Sequence, residues 1–146
     1  MMTARRALTV VLSLMMAGCA VGFIHLYPVE SVAPGQTPKP ILSGTITYLT
    51  GYATVSFSSP EGEKFSGHCA FGSAAGVNDD LKTAWDSVYG QGDYLAHVVG
   101  SPTHCTAKLG GTKGTIFSLE AYNETAGTPL RGVAQDSNGN IYKLAF

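Results

Sequence analysis

Residues Tyr52–Ser58, YATVSFS, decide the fold class of this chain. Apolar and polar residues alternate along this stretch, so that Ala53, Val55 and Phe57 share one face and hydroxyl side chains share the other. A period of two is typical of a β-strand with one buried face. A Pro-Glu-Gly turn follows, and Lys64–Phe71, KFSGHCAF, alternates in the same way. The two stretches predict an antiparallel β-hairpin.

Further strand patterns recur along the chain between Gly and Pro residues. They predict strands at 44–49, 94–99, 103–109, 115–122, 132–136 and 141–146. The Asn138-Gly139 pair before the last strand is a strong signal for a tight hairpin turn. In that strand Tyr142, Leu144 and Phe146 share a face, so the last residue is expected in the core. The fold class is therefore predicted as mostly β, a small antiparallel sheet that forms a sandwich or a barrel-like structure.

One stretch has a helical period instead of a strand period. Its apolar residues recur three, four, seven and eight positions apart and form one stripe, namely Leu81, Ala84, Trp85, Val88 and Tyr89. Gly90 follows as a natural stop. We expect one amphipathic helix at about 79–89 that covers one face or end of the sheet, with Trp85 packed in the core instead of in a binding face.

Composition restricts the classes of partner. The chain has 146 residues, with 9 basic and 10 acidic ones, so its length suits a single domain and its charge is close to balanced. Basic residues form no run or cluster in the sequence, so we expect no nucleic acid partner. We also expect no cofactor.

The N-terminus has the layout of a targeting segment. Arg5 and Arg6 precede an apolar run at 7–17, and the tetrapeptide Met16-Ala17-Gly18-Cys19 follows. This layout resembles the lipobox signal of bacterial lipoproteins. The resemblance implies cleavage before Cys19, acylation of that cysteine and a lipid bilayer as partner. Because Ala20 and not an acidic residue follows, similarity to enterobacterial lipoproteins implies an outer-membrane location.

The resemblance sets the expected domain organisation. Residues 1–18 are the signal peptide, 19–40 are the acylated cysteine with a Pro-rich tether, and 41–146 are one β-rich globular domain. Prolines at 28, 34, 38 and 40 favour extended backbone, so the tether is expected to reach roughly 60 Å from the bilayer. Two alternatives remain open: an uncleaved membrane anchor at 7–24 and an ordinary secreted protein.

Two other pieces of the chain carry a second resemblance. The hairpin arm at 62–67, GEKFSG, and the ending at 132–146 are similar to small uncharacterised outer-membrane lipoproteins of Gram-negative bacteria. Such endings often carry a cysteine where this chain has Ala134. The resemblance implies no activity.

The two remaining cysteines predict a disulfide. Cys69 and Cys105 form an even pair in an oxidising compartment, and closing this loop stabilises the fold by about 4 kcal/mol in the chain-entropy model. Each cysteine follows a histidine, His68 or His104, and neighbouring strand residues point to opposite faces. The cysteines are therefore expected inside and the histidines outside, where two neighbouring surface histidines remain a weak candidate for a metal site.

No sequence motif predicts catalysis. A nucleophile elbow of the form Gly-x-Ser-x-Gly is missing, and the paired acids Glu61 with Glu63 and Asp79 with Asp80 are interpreted as turn and helix-capping residues. The chain is predicted not to be an enzyme. We expect a binding or assembly module with a protein partner in the envelope. The alternative is a periplasmic or surface inhibitor or ligand binder whose loop at 72–79 enters a partner's cleft; an envelope enzyme is the third possibility.

Overall fold

A computed structural model describes residues 20–29, 39–71, 79–99, 101, 103–123 and 130–146. In this part of the chain, eight strands form a closed antiparallel barrel in which sequence neighbours pair and the first strand pairs with the last. The strands are β1 (Ala20–Pro28), β2 (Leu42–Leu49), β3 (Tyr52–Ser58), β4 (Lys64–Phe71), β5 (Cys105–Gly111), β6 (Ile116–Tyr122), β7 (Arg131–Asp136) and β8 (Ile141–Ala145). The helix α1 (Asp79–Tyr89) and a π-helical turn (Tyr94–Val98) lie between β4 and β5.

The alternating residues of the strands fill the barrel interior. Ile46 pairs with Val55 across β2 and β3, and Phe57 pairs with Phe65 across β3 and β4. All four side chains belong to one buried cluster. The barrel confirms the predicted β-rich fold with one helix.

The first strand corrects the expected tether. Ala20 pairs with Tyr48 of β2, and His25 pairs with Ala145 of β8, so residues 20–28 belong to the barrel, which was expected to start at residue 41. Ile24 and Leu26 point inward and are fully buried. The alternation was obscured because the outward positions of this strand are apolar too. The rest of the expected tether, 30–38, lies outside the described residues.

Two smaller expectations were also wrong. Residues 94–99 were predicted as a strand, but they form the π-helical turn, in which Tyr94 and Val98 bury one face. The last residue, Phe146, was expected in the core, yet its side chain is 50% exposed. A Cβ added at Gly22 would lie 2.9 Å from its ring, so the ring covers this glycine.

The helix forms where its period predicted and builds a second core outside the barrel. Trp85 is fully buried, as expected, and packs against Tyr122 with ring centroids 5.8 Å apart. The helix contacts the outer faces of β6, β7 and β8. It ends at Tyr89 and is followed by Gly90, whose φ of 104° suits glycine. No helix in the described part of the chain is long and apolar enough to span a membrane.

The predicted disulfide is confirmed. Cys69 on β4 and Cys105 on β5 are bonded inside the barrel, with Cα atoms 5.5 Å apart. The bond joins neighbouring strands across the long connection that contains α1. It therefore secures a pair of strands that has no short turn to hold it.

Candidate functional site at the mouth of the barrel

One end of the barrel opens into a cavity of about 250 Å³, which we call the mouth. Because the strands run up and down, the turns β3–β4, β5–β6 and β7–β8 all meet at this end. The cavity is lined by Pro40, Leu42, Ser59, Glu61, Glu63, Phe65, Lys113, Thr115, Phe117, Asp136, Asn138 and Tyr142. The opposite end, which holds Ala20 and the β2–β3 turn, is called the base.

The floor of the mouth is aromatic. The rings of Phe65 and Phe117 meet edge to face at 4.9 Å, and Phe117 meets Tyr142 at 5.4 Å. Leu42 adds an aliphatic side chain beside them. These four residues are part of the barrel core, so the floor is a rigid apolar surface and not a flexible loop.

The rim is organised by the carboxylate of Glu63. Its Oε1 accepts hydrogen bonds from the backbone N–H groups of Lys113 and Thr115 at 3.1 and 3.3 Å. Its Oε2 accepts one from the Thr115 hydroxyl at 3.1 Å. A Cβ at Gly111 would lie 2.2 Å from Oε1, so glycine is needed there for this carboxylate to reach the turn. Glu63 thus joins the β3–β4 and β5–β6 turns.

The carboxylate of Asp136 accepts hydrogen bonds within a single turn, the β7–β8 turn. Its Oδ1 accepts the backbone N–H groups of Asn138 and Asn140, each at 2.9 Å. Its Oδ2 accepts the Asn140 side-chain amide at 2.6 Å. Aspartate commonly stabilises turns in this way. The negative charge of Asp136 is therefore fixed at the mouth by the turn it stabilises.

Glu61 and Tyr142 are the groups that can meet a ligand. The side chain of Glu61 is exposed on the rim. Its backbone carbonyl accepts a hydrogen bond from the Lys113 ammonium at 2.7 Å. Burial raises the pKa of Tyr142 to about 12, and the charges of Asp136 and Glu61 act in the same direction. Its hydroxyl therefore stays neutral at physiological pH. The lining residues include three carboxylates against one ammonium.

A second polar cluster lies outside the barrel, under the helix. Glu120 is fully buried on the outer face of β6. The Trp85 indole N–H donates to its Oε2 at 2.8 Å, and His104 Nε2 lies 2.6 Å from its Oε1. The Tyr94 hydroxyl donates to the same Oε1 at 3.5 Å. The helix and the connection to β5 cover this carboxylate, so the cluster holds the helix to the barrel and offers no open site.

The structure does not bring together the two histidines proposed as a weak metal site. His68 is exposed on β4, with Nδ1 3.4 Å from the Thr54 hydroxyl. His104 is buried on Glu120, which corrects its expected place on the surface. In the β4–β5 register Phe71 faces Cys105, so the histidines are about four residues, or ~13 Å, apart along the strands. The described residues contain no group of three metal-ligating side chains.

Other predicted site residues lie outside the described part of the chain. These are the acylation residue Cys19 and the candidate inhibitory loop at 72–78; of Asp79 only the backbone, at the start of α1, is described. Sequence reasoning did not predict the mouth. Glu61 and Glu63 were interpreted only as turn residues, and Asp136 only as the end of a strand. Alternate turns of an up-and-down barrel share one end, so these acids would have been grouped had the barrel been known.

Comparisons with protein-family models, with curated proteins and with solved structures each find no match to this chain.

Proposed function

We propose that this protein is a lipoprotein of the bacterial outer membrane, acylated on Cys19, whose barrel mouth binds a basic side chain presented by an envelope protein. It serves as a binding or assembly module and not as an enzyme. The lipobox-like segment before Ala20 supports the anchor. The observation that carries the binding role is the mouth itself, an aromatic floor within an acid-rich rim.

The chemistry of the mouth favours a lysine or arginine side chain. Its aliphatic stem would pack on Leu42 and the floor aromatics, since long basic side chains bury their stems and keep the charged head in a polar environment. The head would meet the Glu61 carboxylate and the neutral Tyr142 hydroxyl, which can accept a hydrogen bond. Glu63 and Asp136 add negative potential without moving, because their turns hold them.

The size of the cavity also favours one side chain over a separate small molecule. Pockets for drug-sized ligands have volumes of roughly 300–1,000 Å³. The mouth, at about 250 Å³, is smaller. A side chain on a protein partner gains its remaining affinity from the rim contacts around it, so a shallow mouth is sufficient for a module of this kind.

The first experiment tests the ligand chemistry. The protein is titrated with the tripeptides Ala-Lys-Ala, Ala-Arg-Ala, Ala-Leu-Ala and Ala-Glu-Ala while the amide NMR signals of the mouth are followed. We expect the two basic peptides to shift the signals around Glu61 and Tyr142, and to lose this effect at high salt. Equal binding of the leucine peptide, or binding of the glutamate peptide, would overturn the proposal.

A matched pair of charge reversals locates the effect. Glu61→Lys should abolish binding of the lysine peptide, because it places a like charge where the ligand's ammonium would sit. The control is Asp80→Lys on the exposed surface of α1, which makes the same change of net charge away from the mouth. A photo-crosslinker at position 61, but not at position 80, should then capture one envelope protein through a basic residue in living cells.

The anchor is tested separately by the intact mass of the membrane-extracted protein. Cleavage before Cys19 with added acyl chains is the expected result. An unacylated chain retaining residues 1–18 would support the uncleaved anchor instead, and would leave the binding chemistry of the mouth to be judged by the peptide titrations.

A further inference from the structure

We infer that the base of the barrel rests directly in the headgroup layer of the bilayer, so that the mouth faces away from the membrane. This inference rests on the proposed acylation of Cys19. Its basis in the structure is the position of Ala20, the residue that follows Cys19 in the sequence. Ala20 is already the first residue of β1, and consecutive Cα atoms lie ~3.8 Å apart. One peptide bond therefore separates the acylated residue from the barrel.

The base carries an exposed apolar surface at this point. Val21 and Phe23 on β1 and Leu49 and Tyr52 at the β2–β3 turn point outward, and we call these four residues the basal stripe. Phe23 is 74% exposed, the highest value among the exposed large apolar side chains of the described chain. In the registers Val21 faces Thr47, which is two residues before Leu49 on β2, and Leu49 faces Tyr52, so the stripe spans the outer faces of three neighbouring strands.

Charge distinguishes this surface from the apolar residues at the mouth. The mouth end also exposes Ile41 and Ile116, but a lysine, Lys39 or Lys113, lies within three residues of each in the sequence. The sequence around the stripe, residues 20–23 and 45–54, contains no Asp, Glu, Lys or Arg. Insertion of the stripe into an interface therefore removes no charge from water. Aromatic residues such as Phe23 and Tyr52 are well suited to the membrane interface.

The anchor makes this contact intramolecular. Several acyl chains on one cysteine hold a protein firmly to a membrane. With one bond between anchor and barrel, the effective concentration of the stripe at the bilayer is high, so a small apolar area is sufficient for docking. A free protein partner or a second copy would have to displace the membrane that the anchor brings to this surface. The bilayer is therefore the occupant we assign to the stripe.

The arrangement gives the molecule a fixed direction. β2 runs from Leu42 at the mouth to Leu49 at the base, and its eight residues span up to ~26 Å. With the base in the headgroup layer, the acid-rich mouth lies at most this far from the surface, since barrel strands tilt from the axis. A partner can then reach the mouth without contact with lipid.

The test uses the full acylated protein in vesicles of phosphatidylethanolamine and phosphatidylglycerol, with and without brominated lipid as a quencher. Phe23→Trp places a fluorophore in the stripe. The matched control is Ile116→Trp, because Ile116 is 51% exposed at the mouth end. Native Trp85 is fully buried, and its signal is subtracted using the unmodified protein. We expect brominated lipid to quench Trp at position 23 and to leave Trp at position 116 unchanged.

The outcomes separate this inference from the proposed anchor. An acylated mass with no quenching at position 23 overturns the docking and leaves the lipoprotein proposal standing. Blue-shifted but unquenched emission means that protein covers the stripe, which also overturns the docking. A mass without acyl chains overturns the anchor itself, and the docking falls with it. Should Phe23→Trp not fold, Tyr52→Trp tests the same stripe from β3.

Discussion

The two ends of this barrel are built from the same up-and-down strands but are stabilised in different ways. At the mouth, the β3–β4, β5–β6 and β7–β8 turns lie side by side. The Glu63 carboxylate bonds the β5–β6 turn, and the Asp136 carboxylate bonds residues of its own β7–β8 turn. At the base, β4 and β5 have no short turn between them, and the Cys69–Cys105 bond joins them instead. The mouth is polar, whereas the base has no charged residue in its β1 edge or its β2–β3 turn and is held together by a long-range covalent bond.

The difference shows where a closed barrel can carry a site. The carboxylates of Glu63 and Asp136 stabilise turns and also lie around one opening. The opening is therefore charged without any further charged group having to be buried. The other end, free of charge in its β1 edge and β2–β3 turn, is suited to contact with an apolar phase. Under the proposed function, this division of properties would let one small domain be held at one end and bind at the other.

The largest expected effect is at the base. Replacement of both Cys69 and Cys105 by alanine should lower the free energy of unfolding by about 4 kcal/mol, because the closed loop, with a sequence separation of 36, no longer restricts the unfolded chain. Urea unfolding of the variant and of the oxidised and reduced parent measures this. Under native conditions the lysine peptide should still bind at the mouth. Loss of binding together with stability would show that the two ends are not independent.

The second effect concerns the helix that covers the barrel. Glu120→Ala removes the acceptor of the Trp85 N–H and the partner of His104, and leaves both groups buried. We expect a loss of about 3 kcal/mol, since each buried polar group without a partner costs ~1–3 kcal/mol. Urea unfolding followed by Trp85 fluorescence measures this loss. Lys108→Ala, at an exposed position on β5, is the control and should change little.

The sequence could predict local elements well and closure poorly. Tyr52–Ser58, Lys64–Phe71 and Asp79–Tyr89 form where their hydrophobic periods placed them, because period is a local property of the chain. β1 was missed, since Val21 and Phe23 on its outer face are as apolar as the residues on its inner face and hide the alternation. The pattern of a single strand does not explain why apolar side chains are exposed on its outer face. Closure itself depends on the pairing of the first strand with the last, which no local pattern encodes.

The candidate site was missed for the same reason. Asp136 has an ordinary local explanation as a turn residue, and its hydrogen bonds within the β7–β8 turn agree with it. A local explanation of Glu63 is incomplete, because its carboxylate bonds Thr115 in the β5–β6 turn at a sequence separation of 52. Only the barrel shows that the turns share one opening. His104 illustrates the converse: strand alternation correctly placed it on the outer face, but the packing of α1 there, which buries it, could not be derived from its own strand.

A smaller effect distinguishes two neighbouring acids of the rim. Glu63→Ala should cost about 1–2 kcal/mol in unfolding free energy, because three hydrogen bonds to the β5–β6 turn are lost. Glu61→Ala should stay within about 0.5 kcal/mol, since its side chain is exposed. Binding of the lysine peptide should weaken about fivefold for Glu61→Ala, as for loss of an exposed ion pair. Thermal unfolding and peptide titration of both variants test whether Glu63 matters more for stability and Glu61 more for binding. Equal losses of stability in the two variants would contradict this prediction.

The smallest effect is a shift in the titration of Tyr142, which reports the electrostatics of the mouth directly. An unperturbed tyrosine titrates at 10.0, whereas burial, with the charges of Asp136 and Glu61, raises the pKa of Tyr142 to about 12. The folded state therefore keeps a proton that the unfolded state releases. The resulting stabilisation is complete below pH 10 and is lost as the pH rises through 12. Tyr142→Phe should remove this part of the alkaline loss of stability.

Glu61→Gln sharpens the same measurement. It removes one of the charges that raise the pKa of Tyr142, so the deprotonation step of this tyrosine should move to lower pH. The pKa should stay above 10, because burial is the larger cause of the shift. The step is assigned by its absence in Tyr142→Phe, which is necessary because burial also raises the pKa values of Tyr48 and Tyr89. Asp80→Asn is the control and should leave the step in place. An unchanged step in Glu61→Gln would mean that Glu61 does not act on the floor of the mouth, and that a basic ligand there would be held without it.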